Sequence, residues 1–430
     1  METEKTVIPE KEGAFCAAAL CAVGAERVVS RELRKLGLGV VESGFGRVRF
    51  RAGLAGLYRA LMALRAADRV LLEAGSFRAA DFDALFEGVR TTAWEGYVPR
   101  GMGFVVEKVR SSRSVLKAET SIQAVVHKAA AERLCGAYGI NRLPAEGKAA
   151  NLRVYIDRDQ VSLMLDLSGE PLFKRGYRPA GGAAPLRETT AAALLQLSLW
   201  RRKFPLYDPF CGSGTILAEA ALYAWDAAPG LGRRFALADL PIADPKLEES
   251  VRAELLGRVN FEHSIRIGGS DQDPRMVSLA AATLERARDI ALGRMMGGPA
   301  ETAAVEGAGR LPELRCLPME EARSPFEAAV REAESRGKAG DPAGFIITNP
   351  PYGKRLGEPA DAEACYAAMP ALGRGFPGWK LAVITGHPGF ESFYGHPADS
   401  CQEITNGAMQ SYFFQYSNLR GGPGTVCPLL

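Results

Sequence analysis

Short alternating segments of hydrophobic and polar residues make up the front part of the chain. The pattern over residues 14–67 predicts a strand, a helix, a hairpin with its turn at residues 43–46, and a second helix. Residues 68–168 predict a comparable alternation that ends in two strands joined by a turn at residues 157–160. The front part therefore predicts two consecutive α+β units.

Three apolar segments in the back part end abruptly in polar or turn-forming residues. One runs to Asp208, a second runs to Asp271, and a third, residues 345–347, precedes Asn349-Pro350-Pro351-Tyr352. Two consecutive prolines lack the N–H donors of a central strand, so the chain must leave the sheet there. The alternation of strands and helices predicts an open α/β sheet, which binds ligands at the carboxyl ends of its strands.

Length and composition are those of a soluble globular protein with two or three domains. The chain has 430 residues, of which 47% are hydrophobic and 24% are charged. It has neither an apolar run of the roughly 18 residues that span a bilayer nor the apolar core of a signal peptide, so we expect a cytoplasmic location without membrane contact. The eight cysteines include no C-x-x-C pair and the four histidines no H-x-x-x-H spacing, so we predict no metal site.

Charge is distributed unevenly along the chain. Residues 1–203 contain 32 Lys and Arg against 22 Asp and Glu, whereas residues 204–430 contain 21 against 28. A basic front half joined to an acidic back half indicates that the front half contacts a polyanion such as nucleic acid. The alternative is a drift of surface charge that has no function.

The turn after Asp208 is a candidate cofactor site. Gly212 and Gly214 allow close backbone approach and lead into a helix whose first N–H groups can meet an acceptor. The turn lacks the lysine of a P-loop, and Leu217 stands where a dinucleotide fingerprint has its third glycine. Asp271, at the end of the next strand, can accept both hydroxyls of a ribose. The glycine turn and this acid together suit the sulfonium cofactor S-adenosylmethionine.

Three sequences together resemble a known family. They are Asp-Pro-Phe-Cys-Gly-Ser-Gly-Thr at residues 208–215, Gly-Ser-Asp-Gln-Asp-Pro at 269–274, and Thr-Asn-Pro-Pro-Tyr-Gly-Lys-Arg-Leu at 348–356. They resemble class I S-adenosylmethionine-dependent methyltransferases. With residues 105–128 and 174–178, the chain is similar to the THUMP-domain RNA methyltransferases that make N2-methylguanine, in particular the bacterial large-subunit rRNA enzymes.

The resemblance implies a fold and a domain order. The expected fold is α/β, with a Rossmann-like class I methyltransferase domain whose sheet has seven mostly parallel strands, preceded by α+β ferredoxin-like and THUMP domains. The implied division is a disordered tail at 1–13, a ferredoxin-like domain at 14–67, a THUMP RNA-binding domain at 68–168, a linker at 169–187 and a methyltransferase domain at 188–430.

The patterns and the resemblance together predict roles for individual residues. The predicted catalytic residues are Asn349, Pro350 and Tyr352. The predicted cofactor-binding residues are Asp208, Cys211, Gly212, Ser213, Gly214, Thr215, Asp271, Gln272 and Glu320. The predicted RNA contacts are Lys108, Arg110, Lys117, Lys128, Lys174, Arg175 and Arg178. Lysines and arginines on a solvated helix face or linker are the alternative for this last group.

The Asn-Pro-Pro-Tyr sequence suits methyl transfer to nitrogen. The Asn349 side-chain oxygen and the Pro350 carbonyl can accept the two N–H bonds of a planar amino group, and Tyr352 can stack on its ring. Most of the rate would come from positioning and electrostatics. Adenine N6, guanine N2, cytosine N4 and a protein glutamine amide all present such a group. The basic front half favours structured RNA, and guanine rests on the resemblance alone.

We therefore predict a cytoplasmic enzyme that transfers a methyl group from S-adenosylmethionine to guanine N2 in 23S rRNA, as a precursor or an assembly intermediate. The alternatives are a tRNA guanine-N2 methyltransferase, a DNA adenine-N6 methyltransferase and an RNA-binding assembly factor without activity. The THUMP-like front half disfavours DNA, and the intact glycine turn, acids and Asn349 disfavour an inactive factor.

Overall fold

The computed structural model describes residues 14–178, 186–263, 265–294, 309–326, 342–351 and 359–419. The predicted tail at residues 1–13 lies outside the described residues.

The front half forms one continuous sheet. Its strands are β1 (Phe15–Cys21), β2 (Gly39–Gly44), β3 (Arg47–Ala52), β4 (Ala67–Arg78), β5 (Gly103–Ser112), β6 (Ala149–Asp157) and β7 (Gln160–Asp166). They lie in the order β2-β3-β1-β4-β7-β6-β5, and only β5 and β6 pair in parallel. The long strand β4 pairs with β1 through residues 67–72 and with β7 through residues 71–78. Both predicted α+β units therefore share this strand.

Helices cover one face of this sheet. They are α1 (Glu26–Lys35), α2 (Leu54–Ala63), α3 (Phe82–Thr91) and α4 (Glu119–Tyr138). Because side chains alternate along a strand, Val48 and Phe50 of β3 face the helices and join the main core. Arg47, Arg49 and Arg51 point to the opposite face. The elements predicted for residues 14–168 are all present, with ends shifted by a few residues.

The back half contains the predicted seven-stranded, mostly parallel sheet. Its strands are β8 (Leu206–Asp208), β9 (Ile267–Asp271), β10 (Glu313–Cys316), β11 (Gly344–Thr348), β12 (Trp379–Thr385), β13 (Ser400–Asn406) and β14 (Met409–Tyr416). The order is β10-β9-β8-β11-β12-β14-β13. The first five strands are parallel, and β14 runs antiparallel to both of its neighbours.

Helices flank this second sheet. They are α5 (Glu188–Leu197), α6 (Thr215–Ala224), α7 (Pro245–Leu256), α8 (Pro274–Ala291), α9 (Pro359–Ala368), α10 (Leu372–Gly375) and α11 (Phe390–Tyr394). Strand β11 is buried along its whole length, as a continuous apolar run in a parallel sheet requires. Gly344 leaves room there for the Trp379 ring, which would lie 2.5 Å from an added Cβ.

A buried ionic cluster joins the two halves. Arg175, in the connecting segment, is 2% exposed and its Nε lies 3.3 Å from a Glu219 carboxylate oxygen on α6. Its guanidinium also donates to the carbonyls of Leu172 and Arg65, and the Tyr177 hydroxyl donates to Glu219 at 2.9 Å. Because a buried charge is costly unless it is paired and hydrogen-bonded, this cluster fixes the segment against both halves.

Two glycines allow backbone contact between the halves. The Gly230 N–H donates to the Met62 carbonyl at 2.8 Å, and a Cβ at position 230 would lie 2.7 Å from the Met62 Cα. At Gly24 an added Cβ would lie 2.4 Å from the Glu403 carbonyl oxygen. A side chain at either position would push the front half away from the back half.

We predict that Gly230→Ala destabilises the protein by about 1–3 kcal/mol, since the new methyl group overlaps backbone that cannot move away cheaply. The measurement is urea unfolding followed by circular dichroism. Gly136→Ala is the matched control, because Gly136 lies in α4 with open space around its Cβ position. Alanine should be neutral or stabilising there. Equal stability of both variants would contradict the tight backbone contact.

Candidate active site

The carboxyl ends of three neighbouring strands meet at one edge of the second sheet. Strand β8 pairs in parallel with β9 and with β11, and Asp208 is level with Gly269. The chain leaves these strands at Asp208, Asp271 and Thr348, which Asn349 follows. The structure therefore brings the ends of the three predicted motifs to one place.

Asp208 lies buried at the centre of this edge. One of its oxygens accepts a hydrogen bond from the Thr348 hydroxyl at 2.6 Å and another from the Phe210 N–H at 3.1 Å. Burial raises the pKa of Asp208 to about 7, and the nearby charge of Asp271 acts in the same direction. The Thr348 hydroxyl ties the end of β8 to the end of β11, a link that no sequence pattern indicated.

The glycine turn is held against the strand ends by backbone contacts. The Cys211 N–H donates to the Ser270 carbonyl at 2.9 Å. Gly212 and Gly214 have φ of +50° and +79°, the left-handed region that favours glycine. A Cβ at Gly214 would lie 3.0 Å from the Ala280 Cβ on α8. The turn therefore packs closely on two neighbouring elements, as the glycine spacing predicts.

The predicted cofactor residues near the turn differ in exposure and in hydrogen bonding. The Asp271 carboxylate accepts from the N–H groups of Gly212 at 3.0 Å and Asp273 at 2.9 Å, and each oxygen keeps a lone pair for a further donor. Gln272 and Glu320 are exposed, and Glu320 follows β10 at the same edge. Ser213 Oγ lies 3.5 Å from the Thr215 hydroxyl. Asp273 caps α8 by accepting from the Arg275 N–H, as the sequence predicts.

Asn349 presents an unused acceptor at this edge. Its side-chain oxygen is buried and has no hydrogen-bond partner among the described residues. A buried carbonyl oxygen without a donor is costly, and such atoms are rare in native proteins. Pro350 is buried beside it, and Tyr352 lies outside the described residues. The predicted pair of carbonyl acceptors is therefore positioned where the chain leaves β11.

Polar side chains of α9 and of the end of β12 also reach this edge, and none of them was predicted from the sequence. The Tyr366 hydroxyl on α9 donates to the Pro351 carbonyl at 3.3 Å and lies 2.9 Å from the hydroxyl of Thr385, the last residue of β12. His387 follows, with Nε2 3.5 Å from a Glu363 oxygen. The sequence did contain a signal for Thr385 and His387. An apolar run ends at Thr385, and parallel strands place their carboxyl ends at one edge of the sheet. These contacts hold the Asn-Pro-Pro segment in place.

The basic residues predicted to contact RNA fall into two groups. Five are exposed: Lys108, Arg110, Lys117, Lys128 and Lys174. Arg178 is partly buried and donates to the Thr215 hydroxyl at 2.9 Å, so it supports the glycine turn. The prediction for Arg175 needs correction, because its guanidinium is enclosed in the ionic cluster with Glu219 and has no surface to offer RNA. The other contacts stay predictions.

Known proteins resemble this chain along most of its length. A family model described as the RMKL-like methyltransferase domain matches residues 175–291 and 326–413, and one described as the RlmL ferredoxin-like domain matches residues 17–71. "Putative RNA methyltransferase YpsC" of Bacillus subtilis (strain 168) is 33% identical over 396 residues, which cover 92% of this chain and 94% of that protein. This chain belongs to the RMKL-like methyltransferase family.

Further relatives differ in length and in name. "Ribosomal RNA large subunit methyltransferase K/L" of Aeromonas salmonicida (strain A449) is 31% identical over 93% of this chain, which spans 53% of that protein. "SMU.472, a putative methyltransferase complexed with SAH" has a TM-score of 0.76 at 31% identity and covers 96% of this chain and 100% of its own. "A predicted N6-adenine-specific DNA methylase from Listeria monocytogenes str. 4b F2365" has a TM-score of 0.79 at 32% identity. The match covers 94% of this chain and 96% of that one.

The residues at the sheet edge fit S-adenosylmethionine, the cofactor of this family. Gly212 has open space beside its Cα, and Asp271 keeps acceptor capacity for ribose hydroxyls. Asp208 provides a buried acid beside them. The bound cofactor supplies a methyl group on a positively charged sulfur. No group of three or more His, Cys, Asp or Glu side chains suited to a metal occurs within the described ranges, and no helix described there is long and apolar enough to cross a membrane.

We predict that Asp208→Asn becomes more stable relative to the wild type as the pH rises. The pKa of Asp208 is about 7 in the folded protein, against an ordinary value of 3.8, so folding favours the protonated carboxyl. The stability that this group contributes is complete at acid pH and is lost as the pH rises through 7. The difference in unfolding free energy should change by up to about 1.4 kcal/mol per pH unit below pH 7 and level off above it.

Urea unfolding at a series of pH values measures this difference. Asp273→Asn is the control, because hydrogen bonds from Arg275 hold the pKa of Asp273 below its ordinary value, so it does not change charge in that range. A stability difference for Asp208→Asn that stays constant between pH 5 and 8 would contradict the raised pKa.

Proposed function

We propose that this methyltransferase transfers the methyl group of S-adenosylmethionine to the exocyclic N2 amine of a guanine in large-subunit rRNA. The observation that carries this proposal is the side-chain oxygen of Asn349, which is buried and has no hydrogen-bond partner among the described residues, at the strand end next to Asp208 and the glycine turn. A buried acceptor that forms no hydrogen bond among the described residues suits an N–H donor that arrives with the substrate.

The proposed chemistry depends on positioning. The lone pair of an exocyclic amine is delocalised into the ring, so the amine is a weak nucleophile. Accepting its two N–H bonds at the Asn349 side chain and the Pro350 carbonyl orients the nitrogen and increases its electron density. The hydrogen bond from Tyr366 to the Pro351 carbonyl restrains the segment that carries both acceptors. The attacking nitrogen loses a proton after methylation.

RNA is the substrate class that the front half supports. Several exposed lysines and arginines of this half lie on strands and helices, among them Lys108 and Arg110 on β5 and Lys128 on α4. Such a rigid basic surface suits RNA recognised by its shape and phosphates. The relative named as an RNA methyltransferase has a similar length, and those named for ribosomal RNA span about twice the chain. Large-subunit rRNA is therefore the first substrate to test.

Two other substrates use the same acceptor pair. Guanine N2 in tRNA presents the same group, and adenine N6 in DNA is favoured by the name of one structural relative. The two acceptors recognise a planar NH2 group and do not distinguish among these bases. The experiment must therefore measure the modified nucleoside itself.

The test is nucleoside mass spectrometry of rRNA, tRNA and DNA from a strain that lacks the gene, with the same strain complemented by it. We expect N2-methylguanine to fall in 23S rRNA and to return on complementation. A loss in tRNA alone would move the substrate to tRNA, and a loss of N6-methyladenine in DNA would overturn both the RNA and the guanine assignments.

We predict that Asn349→Ala reduces methylation by at least about 100-fold, the effect of removing one well-placed polar group from a reacting centre. Cofactor affinity by isothermal titration should stay within a few-fold of the wild type, because Asn349 follows β11 whereas the glycine turn follows β8. Glu249→Ala, at an exposed position on α7, is the control and should keep full activity. Loss of cofactor binding in Asn349→Ala would place Asn349 in the cofactor site instead.

A further inference from the structure

One aromatic side chain stands in open solvent at the tip of the β2–β3 hairpin. Phe45 is 97% exposed, and its φ is +35°, followed by +70° at Gly46. Tight hairpin turns with positive φ at both central positions strongly prefer asparagine or glycine at the first. A phenylalanine there is strained and gains no ring or cation contact within the described part of the chain. Its ring is therefore available to something outside the protein.

The hairpin tip is held in a fixed position. The Glu26 carboxylate accepts from the N–H groups of Gly46 at 2.6 Å and Gly24 at 2.9 Å. The adjacent Val23 bonds to β13 twice, since its carbonyl accepts from the Thr405 N–H at 3.0 Å and its own N–H donates to the Thr405 hydroxyl at 2.9 Å. Glu26 therefore holds the hairpin tip against the loop at residues 23–24, and Val23 in that loop holds it against β13 of the second sheet.

This attachment places the hairpin at the same edge as the active site. Thr385, the last residue of β12, pairs with Tyr412 of β14, so the turn between β13 and β14 lies beyond the carboxyl ends of the parallel strands. Thr405, which bonds to the hairpin segment, lies in that projecting part. Strand β13 is three positions from β11, which corresponds to about 14 Å across the sheet. The hairpin tip therefore lies at the same end of the sheet as Asn349, on the side of β13.

Three arginines follow the tip along β3, while the Glu26 carboxylate binds the Gly46 N–H and Glu42 pairs across the hairpin with Arg49. Arg47, Arg49 and Arg51 follow Phe45 on the face of the sheet that the helices leave free. Glu73 pairs with Arg49, whereas the Arg47 guanidinium stands 5.1 Å from the centre of the Tyr155 ring. Cationic side chains with interspersed aromatic rings are the surface that binds unpaired RNA, through phosphates and base stacking.

We propose that Phe45 stacks on an unpaired base of the substrate RNA that lies near the methylated nucleotide. The inference rests on the proposed function for its substrate class. A protein partner would use Val23 (42% exposed, beside Gly46) and Val41 (62% exposed, on β2) together with Phe45, whereas base stacking needs the Phe45 ring alone. A single exposed ring among glycines and arginines instead offers one stacking surface with charges for the neighbouring phosphates.

The test compares Phe45→Asn, Phe45→Trp and the wild type in binding to two labelled RNAs of equal length, a hairpin with an unpaired loop and a fully paired duplex. Asparagine suits the turn, so a purely structural role predicts an unchanged or more stable protein with unchanged RNA affinity. We expect Phe45→Asn to bind the hairpin about tenfold more weakly, the usual effect of losing one stacked base, and the duplex as before. Phe45→Trp should retain the affinity for the hairpin.

Leu199→Asn is the matched control. Leu199 is also apolar, 64% exposed and at a φ of +60°, but it follows α5 at the opposite edge of the second sheet. Its substitution should leave both affinities unchanged. Equal affinity of wild type and Phe45→Asn for the hairpin overturns the proposal, and so does an equal loss for hairpin and duplex, which would indicate a backbone contact. If hairpin binding depends on Phe45 but the protein makes no N2-methylguanine, the stacking proposal stands and the proposed guanine substrate is wrong.

Discussion

The buried pair of Arg175 and Glu219 sets the geometry on which the rest of the protein depends. Glu219 lies on α6, the helix that begins at the glycine turn, and Arg175 also donates to the Arg65 carbonyl ahead of β4. One guanidinium therefore connects the cofactor helix to the strand shared by both front units. Leaving either charge buried without its partner would cost about 3–5 kcal/mol, so the two halves keep one relative orientation.

The two acids at the sheet edge are hydrogen-bonded within the protein. Asp208 is occupied by the Thr348 hydroxyl and the Phe210 N–H, and both oxygens of Asp271 already accept backbone N–H groups. Among the described residues, the Asn349 side-chain oxygen is buried without a hydrogen-bond partner, as are the hydroxyls of Tyr207 and Ser270 in the neighbouring strands. Groups fixed before the substrate arrives need not reorganise during the reaction, and that is where most electrostatic catalysis originates. The paired residues hold the turn and the strand ends, which leaves Asn349 free to meet a donor.

The sequence predicted what depends on neighbouring residues and failed where distant residues decide. The glycine turn, the strand that ends at Asp208 and the cap at Asp273 each have a local signature, and all three are present. Arg175 has the local pattern of a solvated linker residue, and only the fold reveals its partner Glu219, 44 positions away. The sharing of β4 was missed for the same reason, since strand pairing is not encoded in either partner alone. Tyr366 contacts the Asn-Pro-Pro segment through tertiary packing, which the spacing of residues in the sequence does not predict.

Substrate choice must come from outside the acceptor pair. The Asn349 oxygen and the Pro350 carbonyl can recognise only that two N–H donors lie in one plane, a property shared by adenine, guanine and cytosine. A rigid link to a separate binding surface solves this problem, because it fixes how far and in which direction a bound RNA lies from the methyl donor. Gly24 and Gly230 bring backbone of the two halves into direct contact, and the ionic cluster at Arg175 locks the arrangement between them. Under the proposed function, the methylated base is the one that RNA bound to the front half places at the end of β11.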